Sequence, residues 1–77
     1  MFMKEIDLHH ASTITDALEQ LEHELFLVYM NKLGECRVIH GIGTGALAQA
    51  VHEELSKNPM VRQWREEEHG GSCRVTL

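Results

Sequence analysis

Two stretches of the chain carry apolar residues at helical spacing. In the first, apolar positions recur every three or four residues, and acidic residues occupy the opposite face. Its apolar members are Ile14, Ala17, Leu18, Leu21, Leu25, Val28 and Tyr29. Ser12 or Thr13 can cap the start, and Gly34 provides a stop. We predict a long amphipathic helix that begins near Ile14 and ends before Gly34.

The second stretch follows three closely spaced glycines. One helical face carries Leu47, Ala48, Val51 and Leu55. The opposite face carries Gln49, His52, Glu53 and Glu54. Thr44 or Gly45 opens this predicted helix. The sequence KNP at 57–59 ends it, because proline disfavours helical geometry at the residue before it.

Four shorter segments have the pattern of β-strands. EIDLHH alternates apolar and polar residues, and CRVIHG, MVRQWRE and SCRVTL are further candidates. They span residues 5–10, 36–41, 60–66 and 72–77. Right-handed crossovers make the first two strands parallel, and the short EEHGGS turn makes the last two antiparallel. The predicted order is β-α-β-α-β-β, a four-stranded mixed sheet with two helices in the α/β (α+β) class.

The length and the charge narrow the possible functions. A chain of 77 residues has room for one domain, which we place at residues 1–77. The net charge of −5 means that any anion-binding surface must be local, because the overall field opposes it. Cys36 and Cys73 lie in apolar strands and are expected to be buried, reduced thiols of a cytoplasmic protein. No apolar run predicts a signal peptide or a membrane span.

Histidines end both of the predicted parallel strands, His9 the first and His40 the second. The carboxyl ends of parallel strands meet at one edge of a sheet, where α/β proteins bind ligands. Both imidazoles are therefore expected in one crevice. Asp7 lies two residues before His9, on the same strand face, and can orient its ring. We treat the three residues as candidates for acid–base chemistry near neutral pH.

Three glycines separate His40 from the second helix. Gly41, Gly43 and Gly45, with Thr44 among them, suggest a loop whose N–H groups face an anion such as phosphate. The positive end of the following helix dipole would point the same way. The alternative is that the glycines serve only a sharp turn. The spacing is GxGxG rather than the GxGxxG of dinucleotide-binding folds, and the lack of Gly-Lys-Ser/Thr excludes a phosphate-loop NTPase.

Basic residues near the end of the chain are further candidates. Arg62, Arg65 and Arg74 could contact nucleic-acid phosphates, with solvated strand positions as the alternative. Trp64 could stack on a base, although a core position is the simpler interpretation.

The acidic and histidine-containing segments give weaker signals. The run Glu66–Glu68 is interpreted as a solvated turn. No metal site is predicted, because the candidate ligands lack the tight spacing of known sites. Those candidates are Asp7, His9, His40 and His69.

These motifs resemble those of the Smr (small MutS-related) domain. IDLHH resembles its LDLHG signature, IHGIGTGAL its HGxGxGxL signature, and GGSCRVTL its closing glycine-rich turn and final strand. Order and spacing agree over essentially the whole chain. His10 stands where the family has glycine. The positions that match the first two motifs are Asp7, His9, His40, Gly41, Gly43 and Gly45.

The resemblance implies a two-layer α/β sandwich that binds nucleic acid. Several family members are endonucleases that nick DNA or cleave RNA, sometimes helped by a divalent cation such as Mg²⁺ or Mn²⁺. Two alternatives stay open: a nucleic-acid-binding module without catalysis, and a protein-interaction domain that uses the acidic first helix.

Overall fold

A four-stranded sheet and two helices account for most of residues 3–77, which the computed structural model describes. The elements are β1 (Lys4–Asp7), α1 (Ile14–Met30), β2 (Glu35–Ile39), α2 (Ala46–Lys57), β3 (Gln63–Glu66) and β4 (Ser72–Thr76). The predicted order β-α-β-α-β-β is confirmed. Residues 1 and 2 of the predicted domain lie outside the described residues.

The strands are ordered β1-β2-β4-β3 across the sheet. β1 and β2 are parallel, with Ile6 opposite Val38. β4 runs antiparallel to both of its neighbours, β2 and β3. The predicted parallel pair and the predicted antiparallel hairpin are therefore both present, and the sheet is mixed.

Both helices cover the same face of the sheet, which makes the fold a two-layer sandwich. Alternate strand residues point toward the helices, because side chains along a strand face opposite sides in turn. The buried core consists of Ile6, Leu8, Ala17, Leu21, Leu25, Val28, Cys36, Val38, Val51, Leu55, Cys73 and Val75. Within residues 3–77, the other face of the sheet carries no helix, and charged residues occupy much of it.

The two cysteines are buried and unpaired, as predicted. Removal from water disfavours the charged thiolate. Burial, aided by the nearby Glu35, raises the pKa of the Cys36 thiol to about 11. Burial, aided by Glu66 and Glu67, raises the pKa of Cys73 to about 12.

The first helix begins at Ile14 and ends before Gly34, as predicted, and contains every residue of the apolar pattern. It begins at Ile14 with Thr13 as its cap, whose side chain accepts a hydrogen bond from the amide of Asp16 at 3.0 Å. It ends at Met30, because the Asn31 side chain bonds back to the Leu27 carbonyl at 2.7 Å.

At three places the structure differs from what the sequence pattern suggests. Ile14 and Tyr29 belong to the predicted apolar face of α1 but are 43% and 50% exposed. Glu54 was predicted to face solvent but is buried, and its carboxylate accepts a hydrogen bond from Asn58. Residues 60–62 precede β3 and form no strand, because the chain turns there through a bond from Val61 N–H to Asn58.

The topology places the ends of β1 and β2 together at one edge of the sheet. The segment after β1 contains His9 and His10, and the segment after β2 contains His40 and the loop 41–45. The amide of Leu8 donates to the Ile39 carbonyl at 2.8 Å and fixes the two segments side by side. In the described part of the chain, no helix is long and apolar enough to cross a membrane.

Candidate active site

Asp7 and His9 form a close side-chain pair at the end of β1. The carboxylate oxygen Oδ1 of Asp7 lies 2.5 Å from Nδ1 of His9 and also accepts the His9 backbone N–H at 3.1 Å. The pair forms because the chain turns after Asp7, so that His9 lies beyond the strand rather than on it as predicted. The His9 hydrogen bond lowers the pKa of the Asp7 carboxyl. Asp7 is therefore ionised at neutral pH and holds the ring of His9.

The three glycines after His40 have backbone conformations that favour glycine. Gly41, Gly43 and Gly45 have φ angles of 80°, 41° and 88°. These lie in the left-handed region, which other residues reach only at a cost. A Cβ at Gly41 would lie 3.6 Å from the Cβ of His9, and no atom lies within 4 Å of a Cβ at Gly43 or Gly45. Conformation, rather than close packing, therefore requires glycine at these positions.

The loop 41–45 borders a cleft of about 380 Å³ whose lining includes His9, Thr44 and Leu47. The amides of Ile42, Gly43 and Thr44 donate to no acceptor within residues 3–77. Gly45 caps α2 without a side-chain hydrogen bond. Free amides and the start of a helix together favour an anion in this cleft.

His40 is buried behind this loop, with 4% of its surface exposed. Its Nδ1 lies 2.7 Å from the carbonyl oxygen of Gly41, and its Nε2 lies 3.6 Å from Sγ of Cys73. Both ring nitrogens therefore face protein atoms. This geometry favours a role for His40 in holding the loop, rather than the proton transfer that the sequence suggests.

The structure does not bring the candidate arginines into the cleft. Arg65 on the edge strand β3 lies opposite Arg74 on β4, on the helix-free side of the sheet. Arg74 lies 3.7 Å from Glu35 and 3.8 Å from Glu67, so its charge is partly compensated. Arg62 precedes β3 at the edge opposite the loop 41–45, where its amide donates to Thr76. The predicted phosphate-binding residues therefore form two separate groups. The glycine loop with Thr44 borders the cleft, and the three arginines lie away from it.

The interpretation of Glu66–Glu68 as a solvated turn was wrong for Glu67. The Arg37 guanidinium donates two hydrogen bonds to the Glu67 carboxylate, at 2.7 and 3.1 Å. Ser72 Oγ donates a third at 2.5 Å. These donors, Arg37 foremost, lower the pKa of Glu67 to about 2. No local pattern indicates this contact, because Arg37 and Glu67 lie on separate segments.

Two aromatic side chains have partners that sequence spacing could not indicate. Trp64 is half-buried against the core and stacks on His52, with ring centroids 4.8 Å apart. His69 accepts the Gly71 amide at Nδ1 and contacts Ser72 at Nε2. His69 is thus engaged within its own turn and does not join Asp7 and His9.

Comparison with known proteins identifies the family of this chain. The family model described as the Smr domain matches residues 6–76, which include both strand ends and the loop between them. The chain belongs to the Smr family. The predicted resemblance to this family is therefore confirmed, and so is the fold that it implied.

A solved structure supports the same assignment. The crystal structure of the Smr domain of Thermus thermophilus MutS2 has a TM-score of 0.89 with this Smr domain and 33% sequence identity, and the match covers 97% of this chain and 98% of that one. Among curated relatives, Endonuclease MutS2 of Halothermothrix orenii is 43% identical over 58 residues, which are 73% of this chain. Endonuclease MutS2 of Caldicellulosiruptor saccharolyticus is 33% identical over 96% of it.

The chain corresponds to a small part of these relatives. It spans 7% of the Halothermothrix orenii protein and 10% of the Caldicellulosiruptor saccharolyticus protein. The similarity therefore concerns the Smr domain of an endonuclease of the MutS2 type and not the remainder of that protein.

Proposed function

We propose that this Smr domain binds the phosphates of DNA or RNA at the loop 41–45 and cleaves a phosphodiester with the Asp7–His9 pair. The observation that carries the proposal is the placement of this pair beside unpaired backbone amides. A cleft with an ionised carboxylate, an imidazole and anion-binding amides has the groups needed for phosphodiester cleavage. The names of the relatives, Endonuclease MutS2, support the same chemistry.

His9 is the proposed acid–base group. Its Nδ1 is held by the ionised Asp7 carboxylate, which fixes the ring and favours a proton on Nδ1. Nε2 is then free to accept a proton from the attacking nucleophile or to deliver one to the leaving oxygen. With 47% of its side chain exposed, His9 is accessible to a substrate in the cleft.

The loop amides are the proposed anion-binding group. Negative charge builds up on the phosphate oxygens as the phosphorus is attacked, and N–H groups that are already in place stabilise it without rearrangement. Ile42, Gly43 and Thr44 offer such groups. His40 is a positioning residue in this scheme, because its bond to the Gly41 carbonyl fixes the start of the loop.

Within residues 3–77, the potential ligands beside this pair do not meet the ligand preference of Mg²⁺ by themselves. Asp7, His9 and His10 lie close enough to share one ion, but Asp7 is the one carboxylate among them. Mg²⁺ prefers several oxygen ligands, so this group alone does not fit it. We propose that Mg²⁺ or Mn²⁺, where cleavage requires one, is held jointly with a substrate phosphate, and we assign no chemical step to it.

The proposal is tested by incubating the purified domain with supercoiled plasmid and with structured RNA, with and without Mg²⁺ or Mn²⁺. We expect cleavage by the parent and a loss on the order of 100-fold or more, the effect of one acid–base group, in His9→Ala. His23→Ala is the matched control, because His23 is an exposed histidine on α1, away from the cleft. It should cleave like the parent.

Two results would contradict the catalytic proposal. Equal cleavage by the parent and by His9→Ala would remove His9 from the chemistry. Absence of cleavage by the parent, with binding that weakens as salt rises, would leave the non-catalytic binding module, because phosphate contacts release counterions.

A further inference from the structure

A cluster of nitrogen and sulfur ligands lies behind the glycine loop. His40 follows β2, His52 lies on α2, and Cys73 lies on β4. One ligand atom from each residue lies within 4.8 Å of the other two. The three residues come from separate elements, so the fold itself brings them together.

His40 is already in the form that binds a metal ion. A carbonyl oxygen can only accept, so the 2.7 Å contact with Gly41 places a proton on Nδ1 and leaves the lone pair on Nε2. That Nε2 lies 3.6 Å from Sγ of Cys73. Tetrahedral zinc with ordinary bond lengths separates a histidine nitrogen from a cysteine sulfur by about 3.6 Å. The hydrogen bond at Nδ1 is also the outer contact that metal-binding histidines commonly make.

His52 offers the third ligand atom. Its Nε2 is buried and makes no hydrogen bond within residues 3–77, although the Glu66 carboxylate lies 3.4 Å away. Stacking on Trp64 and an edge contact with His40, at a centroid distance of 5.7 Å, hold the ring in place. The His52 side chain as a whole is 27% exposed, so His52 lies between the buried residues His40 and Cys73 and the surface.

We propose that His40, His52 and Cys73 form a binding site for Zn²⁺ or a divalent ion of similar ligand preference, with water in the fourth position. Two imidazoles and a thiolate suit zinc, whereas Mg²⁺ and Ca²⁺ require oxygen ligands. Coordination replaces the thiol proton of Cys73 by the metal, and that proton passes to solvent. The bound ion would tie the end of β2 to α2 and β4 directly behind the loop 41–45.

The test is a titration of the untagged, reduced domain with Co²⁺, which reports the ligands of a zinc site through its spectrum. We expect a near-ultraviolet thiolate-to-cobalt charge-transfer band, visible bands of a tetrahedral ion, and loss of both when Zn²⁺ is added. Cys73→Ser should remove the charge-transfer band. Cys36→Ser, which changes the other buried thiol, should retain it and serves as the matched control.

A second variant keeps the test informative if Cys73→Ser does not fold. His52→Gln changes a partly exposed residue, and we expect it to weaken Co²⁺ binding by about tenfold or more while the far-ultraviolet circular dichroism stays that of the parent. The proposal is overturned if the parent shows no charge-transfer band, or if His52→Gln binds as tightly as the parent. Binding confined to the exposed group of Asp7, His9 and His10 would also overturn it, and would give no thiolate band.

The outcome of the Co²⁺ titration does not depend on whether the domain cleaves nucleic acid. The titration contains no nucleic acid, and the metal ligands His52 and Cys73 lie outside the Asp7–His9 pair. A domain that binds cobalt without cleaving, or cleaves without binding cobalt, would separate the two proposals.

Discussion

Asp7 and His9 meet because one residue separates them at a strand end, and this much could be predicted from the sequence. The spacing places both groups near each other whether the chain continues as a strand or turns. The position of His40 could not be inferred in the same way. Its burial depends on Gly41, which accepts from Nδ1, and on Cys73, which lies far along the chain. Sequence spacing therefore predicts a contact between near neighbours such as Asp7 and His9. It does not predict the contacts that His40 makes with residues far along the chain.

Substitution of Gly45 tests the conformational role of the loop. Gly45 has a φ of 88°, and no atom lies within 4 Å of the place a Cβ would take, so Gly45→Ala adds strain without a collision. We expect the free energy of unfolding to fall by about 1–2 kcal/mol, measured by urea denaturation. Gly45→Asn should lose less, because asparagine tolerates the left-handed region. An equal or smaller loss for alanine than for asparagine would contradict this explanation.

At the scale of elements, the hairpin of β3 and β4 is anchored by the contact of Glu67 with Arg37 on β2. The strand pattern predicted the hairpin because the turn residues and the apolar alternation are local. It did not predict the anchor, because a run of three acids has the composition of a solvated turn. The register of β2 with β4 places Arg37 opposite Arg74. This register determines that Glu67, of the three acids, is the one that contacts Arg37.

The contact of Glu67 with Arg37 makes the free energy of unfolding depend on pH, and the direction of this dependence follows from the pKa of Glu67. The folded pKa of about 2 lies below the ordinary 4.5, so the folded state binds its proton less readily than the unfolded state. The stabilisation is fully present above pH 4.5 and is lost as the pH falls toward 2. Glu67→Gln should therefore reduce the loss of stability over this range, by an amount on the order of 1 kcal/mol after solvent screening.

Urea denaturation of the parent and of Glu67→Gln at several pH values measures this difference. Glu68→Gln is the matched control, since it changes an exposed neighbour in the same turn. A parent whose acid sensitivity equals that of Glu67→Gln would show that the contact does not form in solution.

At the scale of the whole molecule, nucleic-acid binding depends more on where the charged groups lie than on the net charge. The net charge of −5 opposes a general attraction to nucleic acid. On the open face of the sheet, Arg37 and Arg74 are paired with acids, which reduces their attraction for phosphates. In the proposed function, the loop 41–45 attracts the anion instead, through its unpaired amides and the start of α2. We therefore expect nucleic acid to bind at the edge of the sheet and not on its open face.

The fold of the whole molecule could be predicted because its connections are short and because crossovers between parallel strands are right-handed. Two helix-length crossovers and one tight turn leave few arrangements for four strands. The separation of Arg62 and Arg65 from the glycine loop was not predictable from composition. It follows from the strand order, in which β4 lies between β2 and β3.

The most direct test of nucleic-acid binding at the loop is a titration of the ¹⁵N-labelled domain with a short oligonucleotide, followed by NMR at low and high salt in the presence of a chelator. We predict that the largest amide shifts occur at Ile42, Gly43 and Thr44, and that they decrease as salt rises. The same shifts should appear in His9→Ala, which lacks the proposed acid–base group but retains the loop. Shifts centred on Arg65 and Arg74, with the loop amides unchanged, would contradict binding at the loop.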